Sequence, residues 1–195
     1  MLSPKKSLDI LRKTNALLEG HFVLSSGLHS SKYIQCAKLL SFPHLADKIC
    51  KSFANKVKKR FNKIDLILAP AMGGIIIGYE IGKILKKETI FCERVKGKFT
   101  LRRGFSIKKH SRVLIIEDVI TTGKSSLECA KLIKKKKAKL LGFASLIDRS
   151  SKKSLKIKTK IISQLKINVP TYKKNQLPKD LVSMVVTKPG SRFIK

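Results

Sequence analysis

The chain has 195 residues, 43% of them hydrophobic, which suits one domain with a sizeable core and excludes the disordered and fibrous classes. Lys and Arg number 44 against 12 acidic residues, a net charge of +32, so a polyanionic partner is admitted; yet aromatics make up only 6% and Trp is absent, which argues against a surface built to stack bases. Cys36, Cys50, Cys92 and Cys129 form no CxxC pair and no Cys/His cluster of zinc spacing, and no signal-peptide core or membrane-length apolar run is present, so a cytoplasmic protein without disulfide framework, structural zinc or membrane span is expected.

In chain order, Ser3 followed by Pro4 marks a helix start, a capping hydroxyl and then a proline at the first turn, and the helix is expected to run to Gly20. "HFVLSSGLHSSKYIQC" reads as short strands around a turn. Leu45, Ile49, Phe53 and Val57 recur every fourth residue, with Ala46, Cys50 and Phe61 alongside, which predicts an amphipathic helix with lysines outside.

From residue 64 strands and helices alternate. "IDLILA", "TIFC", "VLIIE" and "LLGFASLID" read as strands, "GGIIIGYEIGKIL" and Ser125 to about Lys136 as helices. Strands apolar on both faces and separated by helices predict a parallel sheet covered on both sides. Ligands in such sheets bind at the carboxyl ends of strands, which points to Ala69–Gly74, Glu117–Ser125 and Asp148-Arg149. "SLKIKTKIISQL" alternates in strand fashion, and the lysine run Lys134 to Lys137 reads as a solvated helix end.

The stretch "VLIIEDVITTGKSS", Val113 to Ser126, carries the chemistry. Thr121, Thr122, Gly123, Lys124 and Ser125 form a loop between strand and helix, where backbone N–H groups and the helix dipole favour an anion. "GKSS" is not a nucleotide P-loop: that pattern requires glycine five positions before Gly123, where this chain has Asp118. Carboxylates just ahead of a phosphate cradle suit vicinal hydroxyls or a divalent cation, so a phosphorylated ribose fits both halves of the motif.

These residues resemble the phosphoribosyl diphosphate (PRPP) signature of the type I phosphoribosyltransferases. "FVLSSGLHSSKYI", "APAMGGIIIGYEIG", "FCERVKGKFTLRRGF", "SLIDRS" and "KPGSR" resemble the orotate phosphoribosyltransferase family in order and over nearly the whole chain. The resemblance implies an α/β fold, a central parallel sheet flanked by helices, with a small hood from the N- and C-terminal segments. Residues 1–195 would be one domain, core about 45–150 and hood about 1–44 and 151–195.

It further implies transfer of the 5-phosphoribosyl group from PRPP to orotate in pyrimidine biosynthesis, with Mg2+ bound mainly through PRPP. By the same resemblance PRPP meets Glu117, Asp118, Val119, Ile120, Thr121, Thr122, Gly123, Lys124 and Ser125, with Arg94 on the diphosphate. Asp118, Glu117 and Lys98 are the implied catalytic residues. Orotate meets Thr121, Arg149 and Ser26, and Gly27 with the Tyr33-Ile34 backbone belongs to the segment covering the base. "KGKFTLRRG" matches the mobile loop, so a homodimer sharing loop 95–104 across its interface is expected. Ser25, Gly73 and Val95 stand where many members carry lysine, and Arg102 and Arg103 are candidates to compensate.

Two rivals remain at this point. A purine-base transferase would need a different base pocket, since a neutral purine needs no carboxylate partner. A nucleic-acid-binding regulator on the same fold draws only on the +32 charge, and non-specific binding is all that charge implies.

Overall fold

Two periodicities build the core, the four-residue spacing of its helices and the continuous apolar runs of its strands. In the computed structural model, which describes residues 1–24, 27–151, 155–159 and 161–189, they produce two sheets. After helix α1 (Pro4–Lys13), strands β1 (Leu17–Val23) and β2 (His29–Ile34) pair antiparallel, and short helix α2 (Cys36–Leu40) leads into α3 (Pro43–Arg60). The alternating part follows: β3 (Leu66–Pro70), α4 (Gly74–Leu85), β4 (Glu88–Val95), β5 (Lys98–Thr100), β6 (Arg112–Ile120), α5 (Lys124–Lys135) and β7 (Lys139–Asp148). Beyond residue 150 the chain serves both sheets. Strand β8 (Ile162–Lys166) extends the large one, while β9 (Thr171–Tyr172) and, after α6 (Lys179–Val182), β10 (Val186–Thr187) flank β1 and β2.

The large sheet has the order β5-β4-β3-β6-β7-β8 and is parallel from β4 to β8. On one face α3 and α4 bury Ile67, Leu114 and Ile116 against Phe53, Ile77 and Ile81; on the other α5 buries Val113, Ile115 and Ile90 against Cys129 and Ile133. This is the two-sided cover that strands apolar on both faces require. Edge strand β8 is shielded by α3, whose Lys56 Nζ donates to the Gln164 carbonyl at 2.7 Å. The small sheet, β10-β1-β2-β9, draws on both chain ends, and His21 Nε2 and His29 Nδ1 meet at 2.6 Å beneath it.

Three features depart from the sequence reading. Helix α1 ends at Lys13, not Gly20: Asn15 turns left-handed at φ 53° and the Ala16 N–H closes on the Leu11 carbonyl at 2.8 Å. Leu17 and Leu18, good helix formers, are claimed by Ile34 and Tyr33 across the hairpin. The alternation in "SLKIKTKIISQL" gives a strand only over Ile162–Lys166; upstream, Ile157 is used to pack beneath Gly123. The sheet also ends on an antiparallel edge, because β4 and β5 form a hairpin whose turn residues Lys96 and Gly97 both have positive φ, 47° and 77°.

Helix α4 lies close on the sheet through Gly74, Gly78 and Gly82, four residues apart. A Cβ on Gly78 would lie 2.7 Å from Ala69 Cβ, and one on Gly74 would lie 3.2 Å from the Ile116 carbonyl. That spacing sets the height of the loop entering α4. Gly78→Ala is therefore expected to lower the unfolding free energy by about 1–3 kcal/mol, read from urea melts with an unchanged slope; wild-type stability would show that this approach does not constrain the helix.

Candidate active site

The crossovers leaving β3 and β6 run to opposite faces, α4 to one and α5 to the other, so a crevice opens between the carboxyl ends of these neighbouring strands. Loop Ala71–Gly73 fills one side of it, with a cis peptide between Ala71 and Met72. Glu117–Ser125 fills the other, and the end of β7 brings Arg149 alongside through an Arg149 N–H to Ile120 carbonyl bond of 2.8 Å.

The pleat of β6 separates its two acids. Val113 and Ile115 face α5 and Leu114 and Ile116 face α4, so Glu117 continues the first row and Asp118 the second. Asp118 stands over Gly73: a Cβ there would lie 2.7 Å from Asp118 Cγ. Its Oδ1 accepts the Val119 N–H at 2.8 Å, which fixes the carboxylate, and burial raises its pKa. Glu117 is only 6% exposed and lies beneath the first turn of α5. Burial pushes its pKa up to about 7, the nearby Ser126 hydroxyl pulls it back in part, and the Asp118 charge adds to the rise.

Thr121 to Ser125 enter α5 as the sequence suggested. Gly123 has φ 73°, and a Cβ on it would lie 2.6 Å from Ile157 Cδ1, so both conformation and space demand glycine. The loop is braced from behind, where the Lys156 N–H donates to the Thr122 carbonyl at 2.9 Å. Thr121 and Lys124 are exposed and Ser125 half-buried, and at the start of α5 the Lys124 N–H donates to the Thr122 hydroxyl at 3.4 Å. Ile120 is buried and anchors Arg149 by its carbonyl, and half-buried Val119 packs with the α4-side core.

Arg149 is half-buried, its Nε has no hydrogen-bond partner among the described residues, and burial lowers its pKa while nearby Tyr33 opposes that. A partly desolvated guanidinium with an unpartnered Nε can donate paired hydrogen bonds to a planar anion or carbonyl edge. Its neighbour Asp148 is structural: Oδ1 accepts the Ser150 N–H at 2.8 Å and shapes the turn that presents Arg149. Ser26 and Ser25 lie outside the described residues; Tyr33 and Ile34 end β2 on the same side as Arg149.

The cations of the β4–β5 hairpin and its continuation are mostly engaged. Arg94 lies 2.7 Å from Glu128 of α5, donates to the Gly97 carbonyl at 2.8 Å and stacks 4.1 Å from the Phe99 ring centroid. Arg103 and Arg102 meet Glu93 at 2.7 and 3.4 Å. Lys98 is exposed and makes no ion pair among the described residues. Diphosphate capture by Arg94 would require exchange of Glu128. The partners Glu93 and Glu128, and the bracing Ile157, were not singled out in the sequence; the first two are the acids on β4 and α5 nearest the loop in sequence and strand pairing.

Solved structures of the same fold include the orotate phosphoribosyltransferase of Aeropyrum pernix, at TM-score 0.66 and 21% identity over 82% of this chain and 92% of that one. An adenine phosphoribosyltransferase matches at TM-score 0.64 and 18% identity over 80% of this chain and 99% of that one, so the fold alone does not choose the base. The sequence does. A family model for the phosphoribosyl transferase domain matches residues 36–177. Curated orotate phosphoribosyltransferases are 44% identical in Parvibaculum lavamentivorans, over 99% of this chain and 100% of the relative, and 41% in Erythrobacter litoralis, over 98% and 99%. The chain belongs to the phosphoribosyltransferase family, in its orotate phosphoribosyltransferase branch.

Glu117 makes a prediction about stability. Its folded pKa of about 7 lies above its ordinary 4.5, so the native state keeps a proton that the unfolded chain has lost, and stability falls as pH rises through that window. Glu117→Gln should therefore stabilise the protein above pH 7 by up to about 3 kcal/mol, with the gain fading toward pH 4.5. Thermal melts across that range check it; a gain independent of pH would show that Glu117 is not the titrating group.

Proposed function

We infer that the chain transfers the 5-phosphoribosyl group of PRPP to orotate, giving orotidine 5′-phosphate and diphosphate, as its relatives' name describes. The observation that carries the base assignment is Arg149, half-buried with an unpartnered Nε beside Tyr33 and bonded through its backbone to the strand bearing the acids. The orotate carboxylate offers the guanidinium a charge-assisted, paired acceptor, whereas a purine offers only neutral ones. Thr121 and Ser26 complete the orotate contacts on this reading.

Thr121, Thr122, Gly123, Lys124 and Ser125 receive the 5′-phosphate at the start of α5. Asp118, with Glu117, meets the ribose hydroxyls and stabilises the positive charge that develops on the ribose as the bond to diphosphate breaks. Lys98, carried on the hairpin without an ion pair among the described residues, neutralises the leaving diphosphate, and Arg94 joins it by exchanging Glu128. Closure of 95–104 excludes water that would hydrolyse PRPP.

Magnesium would enter this site carried by the diphosphate of PRPP, beside the Glu117 and Asp118 carboxylates. It supplies charge neutralisation to the leaving group. A homodimer is supported by the outer stripe of α4 and its entry loop, where Met72, Ile76 and Tyr79 are 81%, 52% and 62% exposed. The described helices include none long and apolar enough to cross a membrane, and the four cysteines are free and buried, which suits a reduced cytoplasm. Nucleic acid is met only non-specifically through the surface charge.

The test is the loss of orotate absorbance on mixing protein, orotate, PRPP and magnesium, with adenine, hypoxanthine and uracil in parallel. Arg149→Ala should lower kcat/KM for orotate by about two to three orders of magnitude, and Asp118→Asn should lower kcat by about 100-fold. Turnover of another base at the wild-type orotate rate would contradict the assignment.

A further inference from the structure

Three buried polar side chains lie on the α5 side of the sheet, Ser126 near enough to Glu117 to lower its pKa and Ser145 its ladder partner, and among the described residues none makes a hydrogen bond of good geometry. Glu117 Oε1, Ser126 Oγ and Ser145 Oγ are each buried without a hydrogen-bond partner. Ser126 and Ser145 are 0% exposed. Glu117 of β6 and Ser145 of β7 are direct partners in the parallel ladder, so their side chains leave the sheet on the same face, toward α5. Ser126 comes down onto that face from the first turn of α5. A serine in a helix ordinarily returns its hydroxyl to the carbonyl four residues back. Here that carbonyl, of Thr122, accepts the Lys156 N–H at 2.9 Å, and the Ser126 hydroxyl makes no bond to it.

An unsatisfied buried hydroxyl is destabilising wherever it stands, and two of them around one carboxyl are not a packing solution, since Ala at both positions would fill nearly the same space. Both hydroxyls can donate to a carboxylate or accept from a carboxylic acid. The other groups facing this point add no competing partner. Leu66 and Leu68 of β3 are apolar. Cys129 of α5 meets Cys92 of β4 at 3.3 Å, and that contact, followed by burial, pushes its thiol pKa up. Glu128 of α5 is neutralised by Arg94 of β4 at 2.7 Å, and Asp118 points to the opposite face.

We propose that Ser126 and Ser145 are positioning residues for phosphoribosyl transfer: their hydroxyls hold the Glu117 carboxylate at the carboxyl end of β6, oriented to receive the ribose hydroxyls of PRPP. The proposal rests on the phosphoribosyl-transfer reading and adds to it two residues outside the PRPP signature's own contacts. The Ser126 hydroxyl already opposes the burial that raises the Glu117 pKa, so it favours the charged form. Its removal should make the carboxylate harder to form.

The experiment is the pH dependence of kcat/KM for PRPP in wild type, Ser126→Ala, Ser145→Ala and Glu117→Gln, from pH 5.5 to 9. The serine variants delete one oxygen each and introduce no bulk. Their acidic limb is expected to move up by about 0.5–1 pH unit, a roughly three- to tenfold loss near pH 6 that closes on the alkaline plateau. Glu117→Gln should lose that limb. An acidic limb in both serine variants superimposable on the wild type, or one retained in Glu117→Gln, overturns the proposal. If the wild type turned over no orotate, the transfer reading would fail separately, and calorimetric titration of the same proteins with PRPP would still decide. There the pH dependence of Kd should shift in the serine variants, and identical profiles would count against the hydroxyls as positioning groups.

Discussion

The site depends on the pleat of one strand. Because successive side chains of β6 leave on opposite faces, two adjacent carboxylates at its end enter two environments: Asp118 over the entrance of α4 and Glu117 under the first turn of α5. Had they shared a face, each would have raised the other's pKa by direct repulsion. Separated by the sheet, they are shifted chiefly by burial, and Glu117 is poised near neutrality while Asp118 is fixed by a backbone N–H. One short sequence thereby supplies two differently tuned carboxylates to a single crevice.

Gly73 is part of the same arrangement. Where many family members carry a lysine, this chain has no side chain, and the space is taken by the Asp118 carboxylate. The departure is thus coupled to the position of an acid in the site. The cations of the following hairpin show a related economy. Arg94 rests on Glu128, and Arg102 and Arg103 share Glu93, so with a net charge of +32 the chain still places two of its 12 acids where they neutralise the loop arginines. A polyanion would compete with those carboxylates for the same guanidinium groups. Such exposed pairs are weak, which keeps the exchange accessible.

Much of the fold was legible because its determinants are local. The four-residue spacing of Leu45, Ile49, Phe53 and Val57 reads as a helix, and the runs at 64–69, 113–117 and 140–148 read as strands covered on both sides, as found. That the two acids, the loop into α5 and Arg149 lie together was legible for the same reason: all three stand at the carboxyl ends of parallel strands. What was not legible depends on partners remote in sequence. Leu17 and Leu18 suit a helix by propensity and became strand because Ile34 and Tyr33 lay opposite. Ile157 looked like strand alternation and instead fills the space beneath Gly123. Ser126 stood in the quoted motif and Ser145 in a quoted strand, but only the register of β6 with β7 and the placement of α5 bring both to Glu117.

The division of labour between the two acids is most directly measured by carboxyl carbon NMR titration of protein labelled at glutamate and aspartate side chains, with Glu117→Gln and Asp118→Asn for assignment. A glutamate carboxyl should titrate near pH 7, disappear in Glu117→Gln and persist, shifted slightly downward, in Asp118→Asn. A Glu117 carboxyl titrating with the exposed carboxylates near its ordinary value would mean that it faces water rather than the serines of α5 and β7, and would contradict the account.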